Sequence, residues 1–433
     1  MSNKIKNNYW FIYLFIISSF SIILFYLLYQ NYLKINLPFY FKILLILLLL
    51  FNSISLLIFY KNKENNYFYR LYSKVIFINL FLILLITLII ELIFGNWLEE
   101  NRINQLNIIR DQTLYYNIGG LYETNNNKIT YTRDRFGFRG KYDDISNIDI
   151  VSIGGSTTDQ RYISDEFTFE SILSSEFKIN KNLNIQIINA GVDGQSTYGH
   201  IKNFDYWFNN IENFKTKYFL FFIGNNDFYI NPNHSYDELE KSNSNNIFRK
   251  IRFAIKSKSI FYYFYRVVEG TINTNRIGLT HNLNKKDNLD FGNWTSTPIL
   301  KNHKMIMQKR LDEYQLRIRI LIKKVESFGS KAIFVTQSRR GLYDFKNDLI
   351  IGMPNVNDYD LSKYNGVDYY YMSRLINEIT KNEAIISKSI FIDLDNELNF
   401  DITQDFYDTS HHSESGTSKI GKYLYFKLKD LFN

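Results

Sequence analysis

Toward its carboxyl end the chain reads Asp408-Thr-Ser-His411-His412-Ser-Glu-Ser-Gly416, a carboxylate three residues before an imidazole. That spacing lets Asp408 stand beside His411 on a single turn, where it would orient the ring and charge it as a general base. A hydroxyl for such a base lies far upstream, in Ile148-Asp-Ile-Val-Ser-Ile-Gly154-Gly155-Ser156-Thr157-Thr158. There an apolar strand runs into two glycines, a turn that would expose the Ser156 hydroxyl and aim its own N–H at a reacting carbonyl. Two further stations stand between, Asn189-Ala-Gly-Val-Asp-Gly194 and Gly224-Asn225-Asn226-Asp227. Gly194 would let a backbone N–H approach a developing oxyanion without a side chain intervening, and the Asn226 amide would add a donor. The chemistry these residues suit is acyl transfer: Ser156 as nucleophile, His411 as base, Asp408 as its orienting acid, and Ser156, Gly194 and Asn226 as the oxyanion hole.

These residues need a scaffold that brings distant positions together. Apolar strands are expected at Ile148–Ile153, Asn184–Asn189, Tyr218–Ile223, Lys331–Thr336 and Ser389–Leu394. Helices are expected at Asp165–Phe177, Tyr198–Phe208, Met305–Phe328, Tyr371–Thr380 and Ser415–Leu431. In the third of these, apolar residues at 307, 311, 314, 318, 321 and 325 mark one helical face, and Gly329 offers a stop. Strands alternating with helices predict an α/β fold, a five-stranded parallel sheet covered on both faces. Active residues of such sheets collect at the carboxyl ends of the strands, where all four stations fall.

The first hundred residues read differently. Uncharged or nearly uncharged apolar stretches at about 9–29, 39–60 and 75–94 are each long enough to cross a bilayer. They predict three transmembrane helices, and no small-residue cleavage site follows the first. Lys4 and Lys6 precede the first stretch; Lys61, Lys63, Arg70 and Lys74 lie between the second and third, whereas the first connection carries Lys34. Positive charge on the inner side then puts the N-terminus in the cytoplasm and everything after Asn96 outside it. The organisation expected is therefore an anchor at 1–96, a polar lead-in at 97–147, and a catalytic domain at 148–433 with an insertion at about 228–302. Within that insertion, Ile247 to Val268 mixes Arg249, Lys250, Arg252, Lys256 and Lys258 with apolar residues. It is read as a cap helix over the catalytic sheet, the alternative being a helix lying on the membrane surface.

Composition narrows the classes further. The 433 residues are 45% hydrophobic and 17% aromatic, ample for a core. The absence of cysteine excludes disulfides and thiolate metal sites. The formal charge of +8 is spread along the chain with no long basic run, so no nucleic-acid partner is expected. Of six histidines, only the adjacent His411 and His412 stand near one another, so no metal or other cofactor is expected. Arg339 and Arg340 follow the fourth strand near the expected cleft, where they suit either an anionic substrate group or solvent.

In the order Ser156, Gly194, Asn226, His411, with Asp408 as acid, the chain resembles the SGNH hydrolases, also called GDSL-like esterases. The likeness covers about 148–225 and 331–430, with Gly154-Gly155-Ser156 where Gly-Asp-Ser is common. His412 follows the base where an apolar residue is commoner; the spacing from Asp408 and the trailing Ser413 and Gly416 select His411. Arg135-Phe-Gly-Phe-Arg139-Gly140 is similar to a lead-in of membrane-anchored bacterial members. The resemblance implies a flavodoxin-like three-layer sandwich and hydrolysis or transfer of an ester-linked acyl group. Outward placement beside a membrane suggests carbohydrate or lipid esters of the envelope. Two other classes fit the same residues: an O-acyltransferase working with a membrane acyl-donor protein, and a binding module that kept the fold without the chemistry.

Overall fold

The computed structural model describes residues 108–124, 126–230, 293–356 and 363–432, together with 79, 86–95, 106 and positions between 255 and 265. The apolar stretches at 9–29 and 39–60 lie outside the described residues, as does most of that at 75–94, whose last part, 86–94, is helical. Among the described residues no helix is long and apolar enough to cross a membrane.

The unit of residues 102–253 and 277–433 holds a five-stranded sheet in the order β4-β3-β5-β6-β9, formed by β3 (Ile148–Gly154), β4 (Ile187–Asn189), β5 (Thr216–Ile223), β6 (Lys331–Thr336) and β9 (Ile390–Ile392). Every neighbouring pair is parallel. Counted within the sheet this is the order 2-1-3-4-5 of flavodoxin-like folds. Successive strand residues point to opposite faces and are buried on both. Ile150, Leu220, Phe222, Ile333 and Val335 pack beneath α2 (Phe169–Lys181) and α9 (Glu414–Leu428). Val151, Ile153, Phe219, Phe221 and Phe334 pack beneath α3 (Thr197–Tyr206), α5 (His303–Ser327) and α6 (Gly366–Ile386). The result is three layers. The helix expected at 371–380 begins earlier because Asn365 and Asp368 form a reciprocal cap, each side chain accepting from the other's backbone N–H.

Two hairpins lie outside the five expected strands. In the lead-in, β1 (Gln112–Asn117) pairs antiparallel with β2 (Lys128–Arg133). Beyond β6, β7 (Tyr343–Lys346) pairs with β8 (Leu349–Gly352). Two single helical turns cap strands at the carboxyl edge of the sheet, α1 (Ser156–Asp159) after β3 and α4 (Asn225–Phe228) after β5.

Most of the segment read as a cap, 247–268, lies outside the described residues. Residues 254–276 group with 1–101 as one compact unit, and the sheet belongs to a second made of 102–253 and 277–433. Within the first unit, the Glu91 carboxylate accepts from Ser259 Oγ and from the N–H of Ile260 at 3.2 Å. The described residues of this segment are thus held by a carboxylate of the third apolar stretch, which takes up the free N–H groups that begin a helical turn.

Candidate active site

β3 ends on Gly154, Gly155 caps the following turn, and Ser156 opens α1 directly behind them. Both glycines are required by space. A Cβ on Gly154 would meet Thr158 Oγ1 at 2.1 Å, and one on Gly155 would meet Asn226 Nδ2 at 2.3 Å and the Gln195 carbonyl at 3.0 Å. The Asn226 amide therefore lies against the turn that carries Ser156, donating to the Gln195 carbonyl at 2.7 Å and keeping a second N–H. Gly194 sits in a left-handed turn. It has φ +74° with open space around it, so conformation and not crowding selects it. The close approach belongs to Gly191, where a Cβ would meet the Asp159 nitrogen at 2.4 Å. Among the described residues, the backbone N–H groups of Ser156 and Gly194 have no acceptor.

His411 and Asp408 arrive on the loop before α9. His411 Nε2 lies 2.7 Å from Ser156 Oγ, across 255 residues of chain, and its Nδ1 lies 2.7 Å from Asp408 Oδ2. The other carboxylate oxygen accepts from the N–H groups of Ser410 and His411, both at 2.8 Å, which fixes the acid in place. Tyr407 stacks on the His411 ring, 5.6 Å between centroids and 7° from parallel. His412 turns the opposite way, 4% exposed, against Phe406, Phe400 and Phe222. Burial lowers its pKa to about 3, so it is a neutral core side chain occupying an apolar position.

A layer of charge not apparent in the sequence braces this edge. Arg133 at the end of β2 reaches across to Asp159 of α1 and donates to the Gly191 carbonyl at 2.7 Å; Tyr131 donates to the same carboxylate at 2.6 Å. Burial alone would raise the Asp159 pKa, yet Arg133 and Arg161 hold it below the usual carboxylate range. Arg139 donates to the carbonyls of Asp159 and Gln160, each at 2.8 Å, and to Asp165 at 2.6 Å. On the other side Asp227 accepts from the Thr197 side chain and N–H and lies 3.4 Å from Arg317, tying α4 to the loop that carries Gly194. Gln337 donates to Thr157 Oγ1 at 2.6 Å and accepts from the Asn225 N–H at 2.8 Å, joining the turns after β3, β5 and β6.

Among the described residues no group of acidic or histidine side chains could hold a metal ion. A cavity of about 590 Å³ lies at the amino ends of the strands, lined by Asp149, Gln186, Lys217 and Lys331 among others, and none of the residues above borders it.

No protein-family profile matches the chain, and no curated protein matches it. Solved structures that overlap it include Axe2, an acetylxylan esterase from Geobacillus stearothermophilus (14% identity, 66% of this chain and 95% of that one, TM-score 0.34). Another is the aryl esterase of M. smegmatis (10% identity, 66% and 100%, TM-score 0.35). A third is a protein described as lipolytic, of the G-D-S-L family, from Desulfitobacterium hafniense (13% identity, 65% and 99%, TM-score 0.33). Likeness at these scores says nothing about chemistry.

Proposed function

We propose that this chain is a serine esterase or acyl transferase of the SGNH type, anchored in a membrane with its catalytic domain outside the cytoplasm. One observation carries the chemistry: the unbroken line from Ser156 Oγ through His411 to Asp408, with both hydrogen-bonding steps at 2.7 Å. His411 Nε2 takes the Ser156 proton as Oγ attacks the ester carbonyl. The tetrahedral oxyanion is met by the free N–H groups of Ser156 and Gly194 and by the Asn226 amide. The imidazolium, stabilised by Asp408, gives its proton to the leaving alkoxide, which departs as the alcohol and leaves an acyl-serine. Water or a sugar hydroxyl then attacks that ester as His411 takes its proton; His411 returns the proton to Ser156 Oγ as the acyl–oxygen bond breaks, which restores the hydroxyl and the neutral base. A non-catalytic binding module would have no need of a base within hydrogen-bonding distance of the hydroxyl.

The apolar stretches of the first hundred residues and their flanking lysines support the anchor and its orientation. Placement there favours acyl esters of envelope carbohydrate or lipid, and a membrane acyl-donor protein as partner if the second step is transfer. A fluorophosphonate probe is expected to label the wild type and not Ser156→Ala. Equal labelling of the two would refute the acyl-serine mechanism. Nitrophenyl esters of increasing length would then define the acyl pocket.

A further inference from the structure

We infer that Arg339 binds an anionic group carried by the ester substrate; the inference rests on the acyl-serine reading above and assigns its substrate class. The two arginines after β6 have opposite surroundings. Arg340 is 3% exposed, donates to the Asp395 carbonyl at 2.6 Å, and lies within 4.0 Å of the Asp344 and Asp395 carboxylates. Its charge is already matched inside the fold. Arg339 is half-buried and pairs with no carboxylate among the described residues. Its guanidinium instead sits over the rings of Tyr229 and Tyr369, 5.1 and 5.3 Å from their centroids, and donates to the Tyr229 hydroxyl. Two aromatic faces hold the planar group in one orientation and lower the entropy lost when it grips a ligand.

Its neighbours in the chain locate it at the rim of the catalytic edge. Two residues before it, Gln337 bonds Thr157, adjacent to the nucleophile. Two residues after it, Gly341 packs so closely on the triad loop that a Cβ would lie 2.2 Å from Thr409 Cα. Tyr229 caps the helical turn that carries Asn226, and Tyr369 donates to Asn225 Oδ1 at 3.2 Å. Asn225 Nδ2 and Arg339 Nε are both buried atoms with no acceptor among the described residues. Two donors without acceptors, one of them on a cation, thus lie in the turns that flank Ser156 and the loop of His411. Planar donors in this arrangement suit a carboxylate, or an oxyanion of similar shape, on either the acyl or the alcohol part of the ester.

The test uses the full chain and two matched substrate pairs. Mono-4-nitrophenyl glutarate against 4-nitrophenyl butyrate places the charge on the acyl side; acetylated glucuronic acid against acetylated glucose places it on the alcohol side. In at least one pair, Arg339→Gln is expected to lower the charged-to-neutral ratio of kcat/KM by about 10- to 100-fold, the range of a hydrogen bond to a charged group. Arg339→Lys should recover part of it. A ratio within about twofold of wild type in both pairs would overturn the inference. If the glutamine variant does not fold, the wild type decides: indifference to charge in both pairs overturns the assignment. Failure of wild type to cleave any ester, with no probe labelling, would instead count against the acyl-serine mechanism.

Discussion

His411 and His412 are neighbours in the chain and opposites in chemistry. The first stands between a hydroxyl and a carboxylate; the second is a core side chain among three phenylalanine rings. Because burial depresses the His412 pKa to about 3, the folded protein keeps this ring neutral while the unfolded chain protonates it near pH 6.5. Its contribution to stability is therefore intact above about pH 6.5 and is lost progressively as the pH falls toward 3, by about 1.4 kcal/mol per unit. His412→Phe should flatten the fall in melting temperature between pH 7 and 5 and still be labelled by the fluorophosphonate probe. An unchanged fall would show that the ring is not the titrating group. The proximity of Asp408 to His411 was legible because it is local: a three-residue spacing needs no tertiary information. The orientation of His412 was not, since it depends on Phe222 and Phe400 packed from other parts of the chain.

At the scale of elements, strands and helices around the sheet could be read from apolar runs and helical periodicity, and the carboxyl-edge rule then gathered the four stations. The β1–β2 hairpin was missed. Its signal is weak but present in Lys128-Ile-Thr-Tyr-Thr-Arg133, where Ile129, Tyr131 and Arg133 alternate inward. A buried arginine at an inward position reads as polar surface until its partner is known, and that partner, Asp159, belongs to the nucleophile turn. The hairpin is thereby part of the support for Ser156. Arg133→Met would leave the buried Asp159 carboxylate with Arg161, 3.3 Å away, as its remaining close cation, and should destabilise the fold by about 3 kcal/mol, read as a lower urea midpoint by tryptophan fluorescence. Adding Asp159→Asn should recover part of that loss. Strict additivity of the two changes would mean that the pair is not coupled.

At the scale of the whole molecule, the proposed anchor makes a topological prediction. On intact cells, protease added outside should cut within the catalytic unit and leave the connection at 61–74 protected. Cleavage of that connection, with the catalytic unit spared, would reverse the orientation. The unit containing residues 254–276 could not be foreseen from local sequence. An apolar, basic segment is compatible with a cap, a membrane surface or an intramolecular partner, and only the Glu91 carboxylate decides which N–H groups it satisfies.

The separation of 255 positions between Ser156 and His411 sets an order in time as well as in space. A growing polypeptide that has not yet reached residue 408 carries the hydroxyl with nothing to deprotonate it. On the proposed mechanism the reactive group stays dormant during synthesis, and acyl chemistry can begin only once β9 and α9 have docked and delivered the imidazole.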